Sequence, residues 1–529
     1  MSGPAATDRT RTDWRPAANP WIIALAVTLP TFMEVLDTTI VNVALPHIAG
    51  SLSASSDDAT WTLTSYLVAN GIVLPISGWL GRVFGRRRYF LVCIGMFTLC
   101  SLLCGLASSL PELVLFRIMQ GFFGGGLQPN QQSILLDTFE PAKRGTAFSI
   151  TAIATIVAPI LGPTMGGWIT DNFSWQWVFL INVPVGILSF LAVVRLVEDP
   201  PWAKAETGKT HIDQIGLALI ALGLGCLQVV LDRGEDEDWL SSPFIQVFAV
   251  AAVIGLVGAV VWLLTTSRPV VNLRALADRN FALGSLMIFG MAVVLYSSAV
   301  LIPQLAQTQL GYNATWAGLI LSPGTVLTIL FIPVVLRLMR KVQTRFIIAF
   351  GFLALGASLL YAATLNPQVD FTTLALMRAA QTAALAFLFV PISTIAYSSL
   401  SPHLNGDAAS LYTMFRNIGG SIGISLATAY VTEHSQVHMA YLSQHLSPYD
   451  PAYAATLRRQ TDALSAMGTA PVDLLSRATG HVYQMLQSQA AILAYVDAFQ
   501  VAAGLALLLV PLTLLFAPIK AGGRSPQGH

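Results

Sequence analysis

Leu113-Val114-Leu115-Phe116-Arg117-Ile118-Met119-Gln120 returns 261 residues later as Leu374-Ala375-Leu376-Met377-Arg378-Ala379-Ala380-Gln381. The same offset carries Pro141 onto Pro402, Gly145 onto Gly406, Ala147 onto Ala408 and Gly162 onto Gly423. With a small change of offset, Thr60-Trp61 falls on Thr315-Trp316 and Arg82 on Arg337. Self-similarity at a fixed offset is the signature of a duplicated architecture.

The repeat runs through an apolar chain. Of its 529 residues 54% are hydrophobic and 10% charged, with mean hydropathy +0.66. Soluble domains carry about 25% charged residues, so a large soluble domain is excluded. A helix needs roughly 20 mostly apolar residues to cross a bilayer. Such stretches are expected at 21–46, 59–81, 88–107, 112–136, 144–170, 176–198, 213–232, 242–264, 281–304, 315–338, 345–363, 371–399, 407–432 and 489–517. The expected fold is therefore an all-α polytopic membrane protein with 14 transmembrane helices. The repeat makes spans 1–6 and 9–14 two pseudo-symmetric six-helix halves, with spans 7 and 8 an inserted hairpin that has no mate. The corresponding divisions are a tail at 1–20, a first half at 21–198, a linker and hairpin at 199–264, a second half at 265–517 and a tail at 518–529. Span 1 is read as uncleaved.

Loops rich in Lys and Arg stay in the cytoplasm. One set of loops holds most of these charges, including Arg82, Arg86, Arg87, Arg88, Lys143, Arg144, Arg340 and Lys341. The opposite set holds Arg233 in its short loops and Arg458, Arg459 and Arg477 in one long loop. Both termini are therefore expected to be cytoplasmic. The long loop, 433–488, is external, with candidate amphipathic helices at Pro451–Gln460 and Leu474–Gln489, and is either an ordered partner-facing surface or a loose connector. The net charge of +1 gives no reason to expect a nucleic-acid partner. The four cysteines lie in apolar stretches and read as packing residues, so no metal site is expected.

Ionisable groups inside spans are costly and functional by default. Glu34 and Asp37 lie three apart in span 1 and share a helix face. Burial and mutual repulsion both favour the protonated form, which suits a carboxyl that loads and releases protons near neutral pH. A structural partner for a buried arginine is the alternative. Arg117, about six residues into span 4, matches Asp37 in depth. Arg378 is its repeat mate, and Arg416 sits about nine residues into span 13. Candidate cavity-lining polar groups are Asn42, Asn70, Gln120, Gln128, Tyr296, Gln304, Arg378 and Arg416. Gly162, Pro163, Gly166 and Gly167 permit close packing and bending in span 5.

At these residues the chain resembles the fourteen-helix drug:proton antiporters of the major facilitator superfamily, the EmrB/QacA family, and most of all their EmrB-type exporters. Leu36-Asp37-Thr38-Thr39-Ile40-Val41-Asn42-Val43-Ala44-Leu45-Pro46 looks like the span-1 signature. Arg117-Ile118-Met119-Gln120-Gly121 looks like the span-4 motif, and Gly162-Pro163-Thr164-Met165-Gly166-Gly167 like the span-5 antiporter motif. Leu180-Ile181-Asn182-Val183-Pro184 and Leu231-Asp232-Arg233-Gly234 also fit. In the loop 2–3 motif, Gly78 to Arg87, the usual acidic residue is replaced by Arg82, so the usual gate salt bridge cannot form as written. The resemblance implies proton-driven export of hydrophobic drugs or uncouplers from a bacterial inner membrane, without a cofactor. It also implies a periplasmic membrane-fusion adaptor (EmrA-like) and a TolC-like outer-membrane channel as partners. A proton-linked small-solute symporter on the same fold is the alternative. No catalytic or phosphate-cradling motif points to an enzyme, so an ion gradient is the expected energy source.

Overall fold

The computed structural model describes residues 16–200, 212–401, 404–444, 446–447, 449–467, 470 and 472–517, and all regular secondary structure among them is helical. The tail at 518–529, most of the tail at 1–20, Pro402 and the side chain of Pro163 lie outside the described residues.

The helices begin where small polar side chains can cap them. Asn19 accepts from the Trp21 backbone ahead of α1 (Pro20–Ser51), and Ser55 from Asp58 ahead of α2 (Ser56–Phe84). Gly85, at φ 83°, makes the sharp turn into α3 (Arg86–Leu106), a conformation that a side chain would strain. Next come α4 (Leu110–Gly124), α5 (Leu127–Thr138), α6 (Pro141–Asn172), α7 (Trp177–Leu180) and α8 (Asn182–Leu196). The hairpin α9 (Gln214–Arg233) and α10 (Pro243–Thr265) follows. The chain continues with α11 (Arg279–Thr308), α12 (Ala314–Leu338), α13 (Thr344–Ala362), α14 (Phe371–Ala396), α15 (Asn405–Ser443), α16 (Pro451–Ala466) and α17 (Leu474–Leu512). Asp278, Asn313 and Asp370 cap α11, α12 and α14 in the same way as Asn19 caps α1.

Each of the fourteen expected stretches falls on a helix or a broken pair of helices. Eleven helices among the described residues are long and apolar enough to cross a membrane. A twelfth is added if Pro141–Pro159 and Thr164–Asn172, bent by 45°, form one span. The stretch 112–136 is absent from that count because it breaks at Gly125 and Gly126 into two short helices. The stretch 407–432 is absent because polar residues such as Arg416 and Asn417 interrupt its apolar run.

Glycine sets the closest approach between helices in the first part of the chain. A Cβ on Gly121 would lie 2.3 Å from the Tyr66 carbonyl oxygen, and one on Gly125 2.7 Å from that of Asn70. α4 therefore presses directly on the backbone of α2. Gly162 and Gly166 do the same for α6 against Thr39 and Ile40 of α1, which is the packing that a small-xxx-small pair permits.

The hairpin lies at the periphery. α10 packs chiefly on α9, and it exposes Val247, Val250, Val253, Val257 and Val261, the apolar face that lipid would cover. α9 lies over the seam between α2 and α15. Asp232 and Arg233 meet Thr64 and Thr60 of α2, while Gln228 bonds Ser421 of α15 at 3.2 Å.

Both described chain ends lie on one face, here termed the terminal face. Trp21 packs on Phe139, and the Ala517 backbone donates to Asn280. On the opposite face, the segment 433–488 continues the bundle as helix for most of its length. α15 and α17 run 39 residues each, about 58 Å at 1.5 Å per residue, against a ~30 Å hydrocarbon core. α16 packs on α17, and His438 of α15 meets Asp497 of α17 at 2.7 Å.

Candidate functional site

Asp37 and Arg117 are both fully buried, and the depth match expected from sequence corresponds to a contact. Arg117 Nη1 donates to Asp37 Oδ2 at 2.6 Å. The other carboxylate oxygen accepts from Gln120 Nε2 at 3.1 Å and from Asn182 Nδ2 at 2.7 Å. Three donors thus converge on a group that, when ionised, only accepts. Arg117 is held in turn. Its Nε donates to the Thr62 carbonyl at 3.0 Å, its Nη1 also reaches Gln120 Oε1 at 2.8 Å, and its guanidinium lies 4.1 Å from the Tyr66 ring centroid. Asn182 is fixed by Ser101, whose hydroxyl donates to the Phe179 carbonyl. Residues of α1, α4 and α8 therefore meet at one carboxylate, and α2 and α3 hold them in place through Thr62, Tyr66 and Ser101.

Glu34 shares the helix face but not the partners. Its Oε1 accepts from Asn70 Nδ2 at 3.1 Å. Gln128 lies beside it, and Arg416 donates to Gln128 Oε1. Arg416 is on α15 and Gln128 on α5, so this second cluster joins the early helices to the late ones.

The third cluster repeats the first. Arg378 Nη1 donates to Ser298 Oγ at 2.8 Å and to Gln381 Oε1 at 3.2 Å. The offset of 261 residues carries Asp37 onto Ser298, Arg117 onto Arg378 and Gln120 onto Gln381.

The remaining expected site residues are scattered. Gln120 belongs to the Asp37 cluster rather than to a cavity wall. Asn42 is exposed. The Tyr296 ring covers Gly420, and Gln304 is half-buried, its Oε1 without a partner among the described residues. Gly162 and Gly166 face α1, and Gly167 lies near Val43. Asn182 and Ser101 complete the Asp37 centre without standing out as site residues in the sequence. The sequence signal for Asn182 was a lone amide inside an apolar run, within the Leu180–Pro184 motif.

On the terminal face, early and late helices close on one another. A Cβ on Gly78 would lie 2.7 Å from the Gly406 carbonyl oxygen, and Ser77 bonds Ser410 at 3.0 Å. Arg82 forms an ion pair with Asp407, and Arg86 with Asp137, which also accepts from Asn405 at 3.3 Å. Tyr397 donates to Gln132 at 3.0 Å. The salt bridge that an acidic residue at position 82 would make is replaced by one of reversed polarity, its acid supplied from α15. Two residues 325 positions apart give no one-dimensional signal for this pairing.

Comparison with known proteins places these residues in a known setting. The family model described as Major Facilitator Superfamily matches residues 27–424. The chain is 38% identical over 512 residues to the multidrug export protein EmrB of Escherichia coli K12, covering 96% of this chain and 98% of that one. It is 41% identical over 431 residues to EmrB of Haemophilus influenzae, covering 81% and 84%. Among solved structures, the human organic anion transporter MFSD10 (TETRAN) superposes with a TM-score of 0.55 at 13% identity, covering 92% of this chain and 99% of that one. At that identity the likeness speaks to the fold alone.

Proposed function

The chain belongs to the Major Facilitator Superfamily, and from this premise we propose that it is a proton-coupled multidrug efflux antiporter of EmrB type. It is a multi-pass protein of the inner membrane and a secondary active transporter, not an enzyme. The observation that carries the coupling role is the carboxylate of Asp37, fully buried and held by Arg117, Gln120 and Asn182. Protonating Asp37 removes the charge that holds Arg117. The pair is thus an element that proton arrival switches and substrate movement follows. Glu34 sits one helical turn away with its own polar set, including Arg416 from α15, and serves as the second proton-handling group. Asn70, Gln128, Tyr296, Gln304, Arg378 and Asn42 contribute to the drug path. The bend in α6 between Pro159 and Thr164, which takes in Gly162 and Pro163, and the close packing of Gly166 and Gly167 on α1 let the two halves rock.

A reading of fourteen spans, in two six-helix halves with α9–α10 inserted, is supported by the 261-residue offset and by the helices that fall on each apolar stretch. The Lys and Arg distribution puts the terminal face in the cytoplasm. The closed terminal face then corresponds to a pump shut toward the cytoplasm.

In proteoliposomes, addition of a hydrophobic drug should produce a substrate-dependent pH change, and an imposed pH gradient should drive drug uphill. Drug movement that is indifferent to the pH gradient would remove the antiport reading.

The helical projection formed by α15, α16 and α17 offers the surface for a periplasmic adaptor, which in turn would lead to an outer-membrane channel. Replacing residues 444–473 with a Gly/Ser linker of equal length leaves α15 and α17 whole and removes α16. Adaptor co-purification and whole-cell resistance should fall, while proton-coupled transport by the isolated protein persists. Undiminished adaptor capture would place the docking surface elsewhere.

A further inference from the structure

The Arg378 cluster is a copy of the Asp37 centre in which the carboxylate has been replaced. Ser298 stands where the offset puts Asp37, and Arg378 and Gln381 keep the places of Arg117 and Gln120. In the first centre Gln120 Nε2 is committed to Asp37 Oδ1. In the copy Gln381 Nε2 has no hydrogen-bond partner among the described residues, and neither has Arg378 Nε. Arg378 is 4% exposed and Gln381 1%, so water does not stand in freely for the missing acceptor. No carboxylate among the described residues lies within ion-pair distance of Arg378. A buried cation without a counter-charge costs several kcal/mol. A guanidinium beside an amide N–H is matched by an acceptor with two oxygens on one carbon, the geometry that Asp37 supplies in the first centre. The neighbours along both helices, Val294, Leu301, Leu374 and Met377, are buried and apolar. Arg378 lies seven residues beyond Phe371, about 10 Å from that end of α14 and well inside the bilayer.

We propose that Arg378, Gln381 and Ser298 form a binding site for the carboxylate of an amphipathic organic anion, with the ligand completing the ion pair that the protein completes for itself at Asp37. The apolar tail of the ligand lies along the leucine- and methionine-lined helices. That this ligand is cargo rests on the transport reading above; that it binds does not.

The test uses the full-length purified protein in nanodiscs and two probes with the same tail, dodecanoate and dodecyltrimethylammonium, each followed by saturable radioligand binding. Arg378→Gln should weaken dodecanoate about tenfold or more, the scale of a hydrogen-bonded charge contact, and weaken dodecyltrimethylammonium by clearly less. Ser298→Asp restores the internal carboxylate and should abolish dodecanoate binding while sparing the cation. If Ser298→Asp does not fold, Arg378→Gln decides the matter alone. Wild-type dodecanoate affinity in the Arg378 variant, loss of both probes together, or no saturable dodecanoate binding by the wild type would each overturn the site. Drug-driven proton movement is measured in parallel on the same preparation. Arg378-dependent binding without such movement keeps the site and removes the transport reading, and the converse removes the site alone.

Discussion

Asp37→Asn is expected to bring proton-driven drug efflux to background while the protein remains folded in the membrane. Asparagine keeps the size of the side chain and one carbonyl oxygen, so Gln120 or Asn182 retains an acceptor. It removes the only group in the centre that can exchange a proton with Arg117 as its counter-ion. Deleting one member of a buried ion pair costs about 3–5 kcal/mol, because the partner stays behind as an unpaired buried charge. The single variant should therefore melt lower than wild type. Arg117→Gln should melt lower too, this time leaving the carboxylate unpaired. The double variant Asp37→Asn with Arg117→Gln should recover much of the lost stability and none of the transport. Energy-independent exchange of labelled for unlabelled drug should survive in Asp37→Asn, since alternating access itself needs no proton once the charge has gone. Full drug resistance in cells carrying Asp37→Asn at normal expression would refute the coupling role.

The second large effect is expected at the reversed ion pair. Asp407 is 4% exposed at its side chain and Arg82 30%, so the pair is partly screened, and its direct contribution is modest. Like charges forced together at the same point cost several kcal/mol, which is a different quantity. Arg82→Asp or Asp407→Arg alone should hold the terminal face open and cut transport by about tenfold or more, equivalent to ~1.4 kcal/mol. The double exchange, Arg82→Asp with Asp407→Arg, should restore transport to within a few-fold. In inside-out vesicles, which expose the cytoplasmic side, accessibility of a cysteine placed at Ser410 to a membrane-impermeant maleimide reports the state of the face directly. It should rise in each single reversal and return in the double. A double variant no more active than either single would mean that the pair does not hold the face shut.

Much of the architecture was legible in one dimension because lipid imposes a simple rule. Backbone polar groups must be satisfied within each span, so apolar length alone marks the helices. The 261-residue offset supplied the relation between the two sets of helices. It went further than expected, since it also relates Asp37 to Ser298. The Asp37–Arg117 contact was readable because depth along a helix follows from counting residues. What counting does not give is direction around the helix. Gln120 reads as a cavity-wall candidate by its polarity, but it lies three residues from Arg117 and points at the same carboxylate. Nothing in one dimension singles out Asn182, because an amide in an apolar run carries no information about its partner. The basic residue at position 82 reads as a missing gate contact, because the compensating acid, Asp407, comes from a helix hundreds of residues away. The segment 433–488 reads as a long polar external stretch with candidate amphipathic helices at Pro451–Gln460 and Leu474–Gln489, and helices begin at Pro451 and Leu474. Helices outside a membrane can be polar on all but one stripe, and polarity there marks solvent rather than irregular backbone.

The length of α15 and α17 has a mechanical consequence. Both helices are continuous from the bundle into the projection, with no break at which motion could be absorbed. The His438–Asp497 contact ties them together at its base. The projection is therefore a lever arm, continuous with α15, which carries Arg416, and with α17. With about 20 Å of helix standing clear of the hydrocarbon, a tilt of ~10° of the late helices sweeps its tip through ~3–4 Å. A protein resting on that tip would be displaced each time the late helices tilt, with no chemical signal required to tell it so.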